Sequence, residues 1–223
     1  MNYELFGQAY GKSRVRLTKI HREGDVHRVS ELSVDLDLQG DFEAAYSEGD
    51  NSQVIPTDTI KNTIYAFARE LEVDHLETFA WTLGCHFVES FPHVAAARVQ
   101  IEQRPWHRAA TDGQEHPHLF LGTSTERYTC DTIIARDDEP EDVDDPVGGV
   151  FASGIKNLPL MKTTAAGFEG FLRDQWTTLA ETSDRILATD LTATWNYNSV
   201  ADDWCAEREA VRKTLIQTFG AEY

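Results

Sequence analysis

Two runs near the start of the chain alternate apolar and polar positions with the period of a strand. From Lys12 to Ile20, Val15, Leu17 and Lys19 alternate against Arg14, Arg16 and Thr18. From His27 to Leu38, Leu32, Val34, Leu36 and Leu38 share one face, with Ser33, Asp35 and Asp37 on the other. Arg22 to Asp25, containing Gly24, reads as the turn between them, so the pair is an antiparallel hairpin with one buried face. After a polar loop the period changes. Ile60, Ile64, Phe67, Ala68 and Leu71 recur at helical spacing, with Lys61, Asn62, Arg69 and Glu70 elsewhere on the helix. Leu76, Phe79, Ala80, Leu83 and Phe87 form a second such stripe, stopped near Pro92. Val94 to Trp106 and Leu119 to Ile134 return to extended character, with Asp112-Gly113 as a turn signal. The pattern restarts beyond residue 146. Val150 to Lys162 is extended, an aromatic-rich loop follows, and Ile186 to Tyr197 alternates Leu187, Thr189, Leu191, Ala193 and Trp195. A third amphipathic helix carries Trp204, Val211, Leu215 and Phe219. A hairpin followed by a helix thus occurs twice, which suggests tandem modules at 1–136 and 147–223, the second stopping after its first helix.

Composition narrows the function. A chain of 223 residues buries a substantial core. Its formal charge of -18 argues against nucleic acid and anionic lipid as partners, since both need a basic face. A small anion must then be held by a local pocket of cations or amides. Residues 137–146, DDEPEDVDDP, hold seven of the carboxylates and two Pro; without the alternating ligands and central Gly of a calcium loop they read as a solvated connector between the modules. Cys85, Cys130 and Cys205 lack metal-ligand spacing and read as reduced thiols of a cytoplasmic protein. No apolar run suggests a secretory leader or a membrane span.

The stretch with the densest chemistry is Gly49 to Leu71, centred on VIPTDTIKNT. Pro56 biases Ile55 away from helix, and Thr57 and Asp58 stand at the mouth of the helix that follows. Its first amides have no intrahelical acceptor, so the turn suits a planar, partly anionic ligand. The plain alternative is that Thr57 or Asp58 caps the helix. His116-Pro117-His118 places two imidazoles on one face of a strand, a spacing that suits a metal, although neither the Cys residues nor a Glu completes a ligand set.

GDNSQVIPTDTIKNT, from Gly49 to Thr63, resembles the signature of the uricases, cofactor-free enzymes that oxidise urate with molecular oxygen. YGK at Tyr10 to Lys12 precedes it; HPH at His116, SGIKNL at Ser153, GFEGFLRDQWTTL at Gly167 and DRILATD at Asp184 follow in the family's order. The resemblance implies an α+β fold of tandem tunnelling-fold modules, antiparallel sheets with helices packed on one face. It implies Lys12 and Thr57 as a proton relay, and Thr57, Asp58 (through its amide), Phe168 and Arg185 as the urate-binding set, with no metal and no cofactor. It also implies a homotetramer whose sites lie between subunits, Thr57 from one chain and Phe168 and Arg185 from its neighbour. The family's Val-Gln pair, Asn and His, and the helix and hairpin that complete its second module, have no counterpart before Tyr223. An inert truncated member, or a fragment needing a complementing segment, is therefore the alternative; a zinc-dependent pterin or purine enzyme of related fold is a third reading. The final Ala221-Glu222-Tyr223 differs from the peroxisomal tripeptide of some eukaryotic relatives.

Only six of the 20 basic residues are Lys, and that acid-rich, Lys-poor balance resembles proteins kept soluble in high salt. The expected outcome is a thermal unfolding midpoint that rises with added potassium chloride; a flat or falling midpoint counts against a saline habitat.

Overall fold

The alternating runs form β1 (Ala9–Glu23) and β2 (Val26–Gly40), joined at Gly24, whose φ of 64° suits a residue without a Cβ. The structure, a computed structural model, describes residues 5, 7–122, 125–137 and 147–221. Lys12 pairs with Leu36 and Val15 with Val34, so a bulge separates them, with Arg14 at φ 57° and its amide donating to Asp35 Oδ1 at 2.6 Å. After the short α1 (Glu43–Ser47) come α2 (Thr57–Glu70) and α3 (Leu76–Ser90). Then follow β3 (Val94–Arg104), β4 (His107–Thr111), β5 (Gln114–Leu121), β6 (Arg127–Arg136), β7 (Val147–Lys162), β8 (Leu187–Asn196) and α4 (Trp204–Gly220). Six strands make one antiparallel sheet in the order β1-β2-β3-β6-β7-β8, while β4 and β5 form a separate ribbon.

The strand register explains where the core sits. Val34, Ile101 and Cys130 stand in one row across β2, β3 and β6; Leu36, Val99 and Thr132 form the next, and Leu38, Ala97 and Ile134 the third. Every one of these side chains is buried. Ile60 and Ile64 of α2, and Phe79, Leu83 and Phe87 of α3, close over the rows, each fully buried and each stabilising by about 1.5–3 kcal/mol. Gly84 lets α3 lie close to the sheet, because a Cβ there would stand 2.3 Å from Ile134 Cδ1.

Two features depart from the sequence reading. Where the pattern predicts two extended stretches, at 94–106 and 119–134, four strands run from Val94 to Arg136, because Pro105, which has no amide hydrogen, ends β3 and a tight turn at Asp112 and Gly113, both at positive φ, folds β4 back on β5. The stripe of the last helix is only partly covered: Trp204 is buried, while Val211, Leu215 and Phe219 remain half-exposed. β6 ends at Arg136, paired with Val147 at the start of β7. The acidic connector, apart from Asp137, lies outside the described residues. Among the described residues no helix is long and apolar enough to cross a membrane.

α4 is held by charge. Glu77 of α3 is fully buried, accepts a hydrogen bond from Ser153 Oγ, and faces Arg208 Nη1 at 3.9 Å. Arg208, itself buried, stacks over Tyr128 with its guanidinium carbon 4.7 Å from the ring centre. Arg208→Met, which strands the Glu77 carboxylate, is expected to cost about 3–5 kcal/mol in urea unfolding. The double variant Glu77→Leu/Arg208→Met recovers most of that loss; equal losses in both variants would show that packing, not charge, is the source.

Candidate active site

Tyr10 and Gly11 of YGK are fixed by their contacts. Tyr10 Oη accepts from the Ile55 amide at 2.7 Å and donates to the Ile55 carbonyl at 3.1 Å, which pins the segment leading into α2 against β1. Its ring meets Phe42 edge-on at 4.7 Å. At Gly11 any Cβ would stand 2.0 Å from the Leu36 carbonyl oxygen, so the strands tolerate only glycine there. Lys12 lies two residues beyond Tyr10 and shares its face of the strand, near enough to the mouth of α2 to act on the Asp58 carboxyl. Lys12 is half-buried and, among the described residues, has no hydrogen-bond or ion-pair partner.

The helix mouth is open. Pro56 occupies the cap position with φ -55° and ψ 135°, and no side chain caps the first turn. Neither Thr57 nor Asp58 acts as the cap: proline, placed by its fixed φ just ahead of the helix, moves both residues inside the first turn. Asp58 turns its carboxylate to Lys61 and to Asn62 Nδ2, the latter at 3.0 Å. The hydrogen bond from Lys61 holds the Asp58 carboxyl below its ordinary range, with Lys12 among the weaker contributors. Thr57 stands exposed in that first turn, beside the opening backbone amides at the positive end of the helix.

The other two residues lie in the loop between β7 and β8. Phe168 exchanges backbone hydrogen bonds with Thr182, at 2.7 and 3.2 Å, and stacks on Phe171 at 4.8 Å with ring planes 9° apart. The Arg185 guanidinium carbon stands 5.2 Å from the Phe168 ring centre. Asp184 accepts from Thr164 Oγ1 at 2.9 Å, which closes the base of the loop and holds that carboxyl below its ordinary range. Phe168 and Arg185 are both exposed and present an aromatic face beside a planar cation.

The structure therefore gathers the five residues into two groups. Lys12, Thr57 and Asp58 belong to β1 and α2; Phe168 and Arg185 follow β7. β1 and β8 are opposite edges of the six-stranded sheet, roughly 24 Å apart along it at about 4.8 Å per strand. Among the described residues no hydrogen bond, ion pair or ring contact joins the groups. A groove of about 750 Å³ on the helix-free face of the sheet, lined by Arg14, Arg16, Arg104, Arg127 and Lys156 among others, includes none of the five.

His116 and His118 lie on β5 with ring centres 4.5 Å apart. Among the described residues no further His, Cys, Asp or Glu completes a triad with them. The sequence reading missed Tyr10, although its place two residues before Lys12 on one strand face was the available signal. It also missed the buried Glu77, which a helical stripe of Leu76, Phe79 and Ala80 gives no reason to suspect.

The uricase family model matches residues 8–132 and 151–223. The uricase of Oryctolagus cuniculus is 38% identical over 221 residues, covering 99% of this chain and 71% of its own. That of Arthrobacter globiformis is 40% identical over 210 residues, covering 94% and 65%. The crystal structure of the Arthrobacter enzyme superposes with a TM-score of 0.85 at 39% identity, covering 98% of this chain and 71% of that one.

Tyr10→Phe removes both bonds to Ile55 and leaves its amide and carbonyl without their partner. It is expected to cost about 1–3 kcal/mol in denaturant unfolding and to speed amide exchange at Ile55; unchanged exchange there would show that the loop is held by other contacts. The motifs, the sheet order and these matches agree: the chain belongs to the uricase family.

Proposed function

We propose that this chain is a urate oxidase, converting urate, oxygen and water to 5-hydroxyisourate and hydrogen peroxide. The observation that carries the reading is the uncapped mouth of α2, with the half-buried Lys12 near enough to act on the Asp58 carboxyl, in a chain matched to the uricase family model over residues 8–132 and 151–223. Lys12 draws a proton from urate through the Thr57 hydroxyl. The Asp58 amide and Thr57 hold one edge of the purine, Arg185 pairs with acceptors on another, and Phe168 lies against its face. The doubly deprotonated urate is itself the electron donor to oxygen, so the chemistry asks for no metal or cofactor. Two electrons leave urate, two protons complete peroxide, and water supplies the hydroxyl of the product.

Assembly belongs to this reading. The two groups stand at opposite edges of one sheet, and the loop beside Phe168 exposes Leu172 at 99% and Trp176 at 78%. Both observations support a homo-oligomer, a tetramer by family resemblance, in which a second copy brings its Phe168 and Arg185 to the α2 mouth of the first. The modules 1–136 and 147–223, joined in sequence by the connector 137–146, would share the continuous sheet, and urate and oxygen would be met in the cytoplasm. The open edge of β8 supports the second reading, an inert chain that requires a complementing segment.

The test is oxygen-dependent loss of urate with peroxide followed in parallel and a chelator present throughout. Lys12→Ala and Thr57→Ala are each expected to lower kcat by about 10²–10⁴-fold. Turnover unchanged by Lys12→Ala would sink the relay. A folded chain that assembles but leaves urate untouched would sink the enzyme reading and favour the complemented one, while sedimentation at the monomer mass with full activity would sink the shared site.

A further inference from the structure

The first turns of α3 and α4 meet at one place. His75 is the residue before α3, Asp203 the residue before α4, and Cys205 sits in the first turn of α4. Their imidazole nitrogen, carboxylate oxygen and sulfur all lie within 4.8 Å of one another. We propose that His75, Asp203 and Cys205 form a structural zinc site that fastens the start of α4 to the start of α3.

The donor set is the first support. Nitrogen, sulfur and carboxylate oxygen are the ligands that zinc takes, and a tetrahedral centre sets them about 3.3–3.8 Å apart, within a small side-chain adjustment of what is present. Two anionic donors balance the dication. A groove of about 590 Å³ opens on His75 and Cys205, which leaves room for water in the fourth position.

The second support is the way the neighbours are held. Asp74 accepts from Ser30 Oγ at 2.6 Å and Gln103 Nε2 at 2.9 Å, and pairs with Arg28 at 3.2 Å. Its carboxylate is thereby spent on fixing the backbone beside His75, not on a metal. Asp203 uses Oδ1 to cap Ala206, at 3.0 Å, which orients its second oxygen. Cys205 donates its thiol hydrogen to the Asp74 carbonyl at 3.3 Å, and Arg208 Nη2 stands 3.5 Å from the sulfur. Binding releases that hydrogen as a proton, forms the zinc–sulfur bond, and leaves the Arg208 N–H to support the thiolate from the outer shell. In the alternative trio His21, Glu72 and Asp74, both carboxylates are already paired with Arg28, Glu72 at 3.6 Å and Asp74 at 3.2 Å.

His75 and Cys205 are 130 residues apart in sequence, so the metal would close a long loop and restrict the unfolded chain strongly. The site shares no residue with the α2 mouth, and its test uses no turnover. Cobalt(II), titrated into the chelator-treated chain, is expected to bind one to one with a thiolate-to-cobalt charge-transfer band and visible bands of tetrahedral strength, both lost when zinc displaces it. Cys205→Ser should abolish the charge-transfer band, and His75→Gln should weaken binding by more than the roughly 10–100-fold expected for loss of an outer-shell partner. Cys85→Ser should change neither. Zinc should raise the Tm of the chelator-treated chain and leave that of His75→Gln unmoved. No charge-transfer band in the unsubstituted chain, a band that survives Cys205→Ser, or an equal Tm rise in His75→Gln overturns the proposal; if Cys205→Ser fails to fold, His75→Gln decides.

Discussion

Leu36, Val99 and Thr132 stand side by side across three strands, with the rows of Val34 and Leu38 on either side, and α2 and α3 must cover all of them. That single buried face constrains the rest. Because the side-chain period of a strand is two, a slip of one residue in β2 would turn its whole leucine set to solvent. The register is therefore firm, and so is the position of everything attached to it. Lys12 reaches the α2 mouth because β1 is registered on β2, and α2 stands where Ile60 and Ile64 fill the sheet.

The same constraint keeps the chemistry local. An overall charge of -18 repels an anionic substrate, so in the proposed reading binding rests on a few groups placed by the fold: a half-buried amine, the uncapped amides of one helix, and one guanidinium resting on a phenyl ring. These groups lie at the two ends of the sheet order, where strands have one neighbour instead of two. Edges are where backbone and side chains remain available to another chain, and exposed apolar residues such as Leu172 and Trp176 belong to the same region.

The far end of the molecule is stabilised differently. Hydrophobic cover thins out at α4, and polar contacts take over: Glu77 with Arg208 and Ser153, Glu126 with Arg212 at 2.6 Å, and Tyr128 with Glu209 at 2.7 Å. Such contacts are directional where apolar packing is not, so they specify one seat for a helix that its partly exposed stripe alone would not hold. The cluster of His75, Asp203 and Cys205 stands in this polar region, at the junction where α4 begins.

Periodicity by itself determined the hairpin, α2, α3, β7 and β8, because a strand or helix that buries one face must repeat its apolar residues at that element's own period. The long motifs determined the family, and with it the expectation for Lys12, Thr57, Asp58, Phe168 and Arg185. Only the tertiary structure decided how β4 and β5 leave the sheet, that Pro56 displaces Thr57 and Asp58 from the cap position, and that Arg14 takes a positive φ at a bulge beside Lys12. It alone also showed Glu77 buried against a residue 131 positions later, and the five proposed site residues divided between opposite sheet edges. These depend on contacts between residues far apart in the chain, and the spacing of side chains within one segment carries no record of what that segment will pack against.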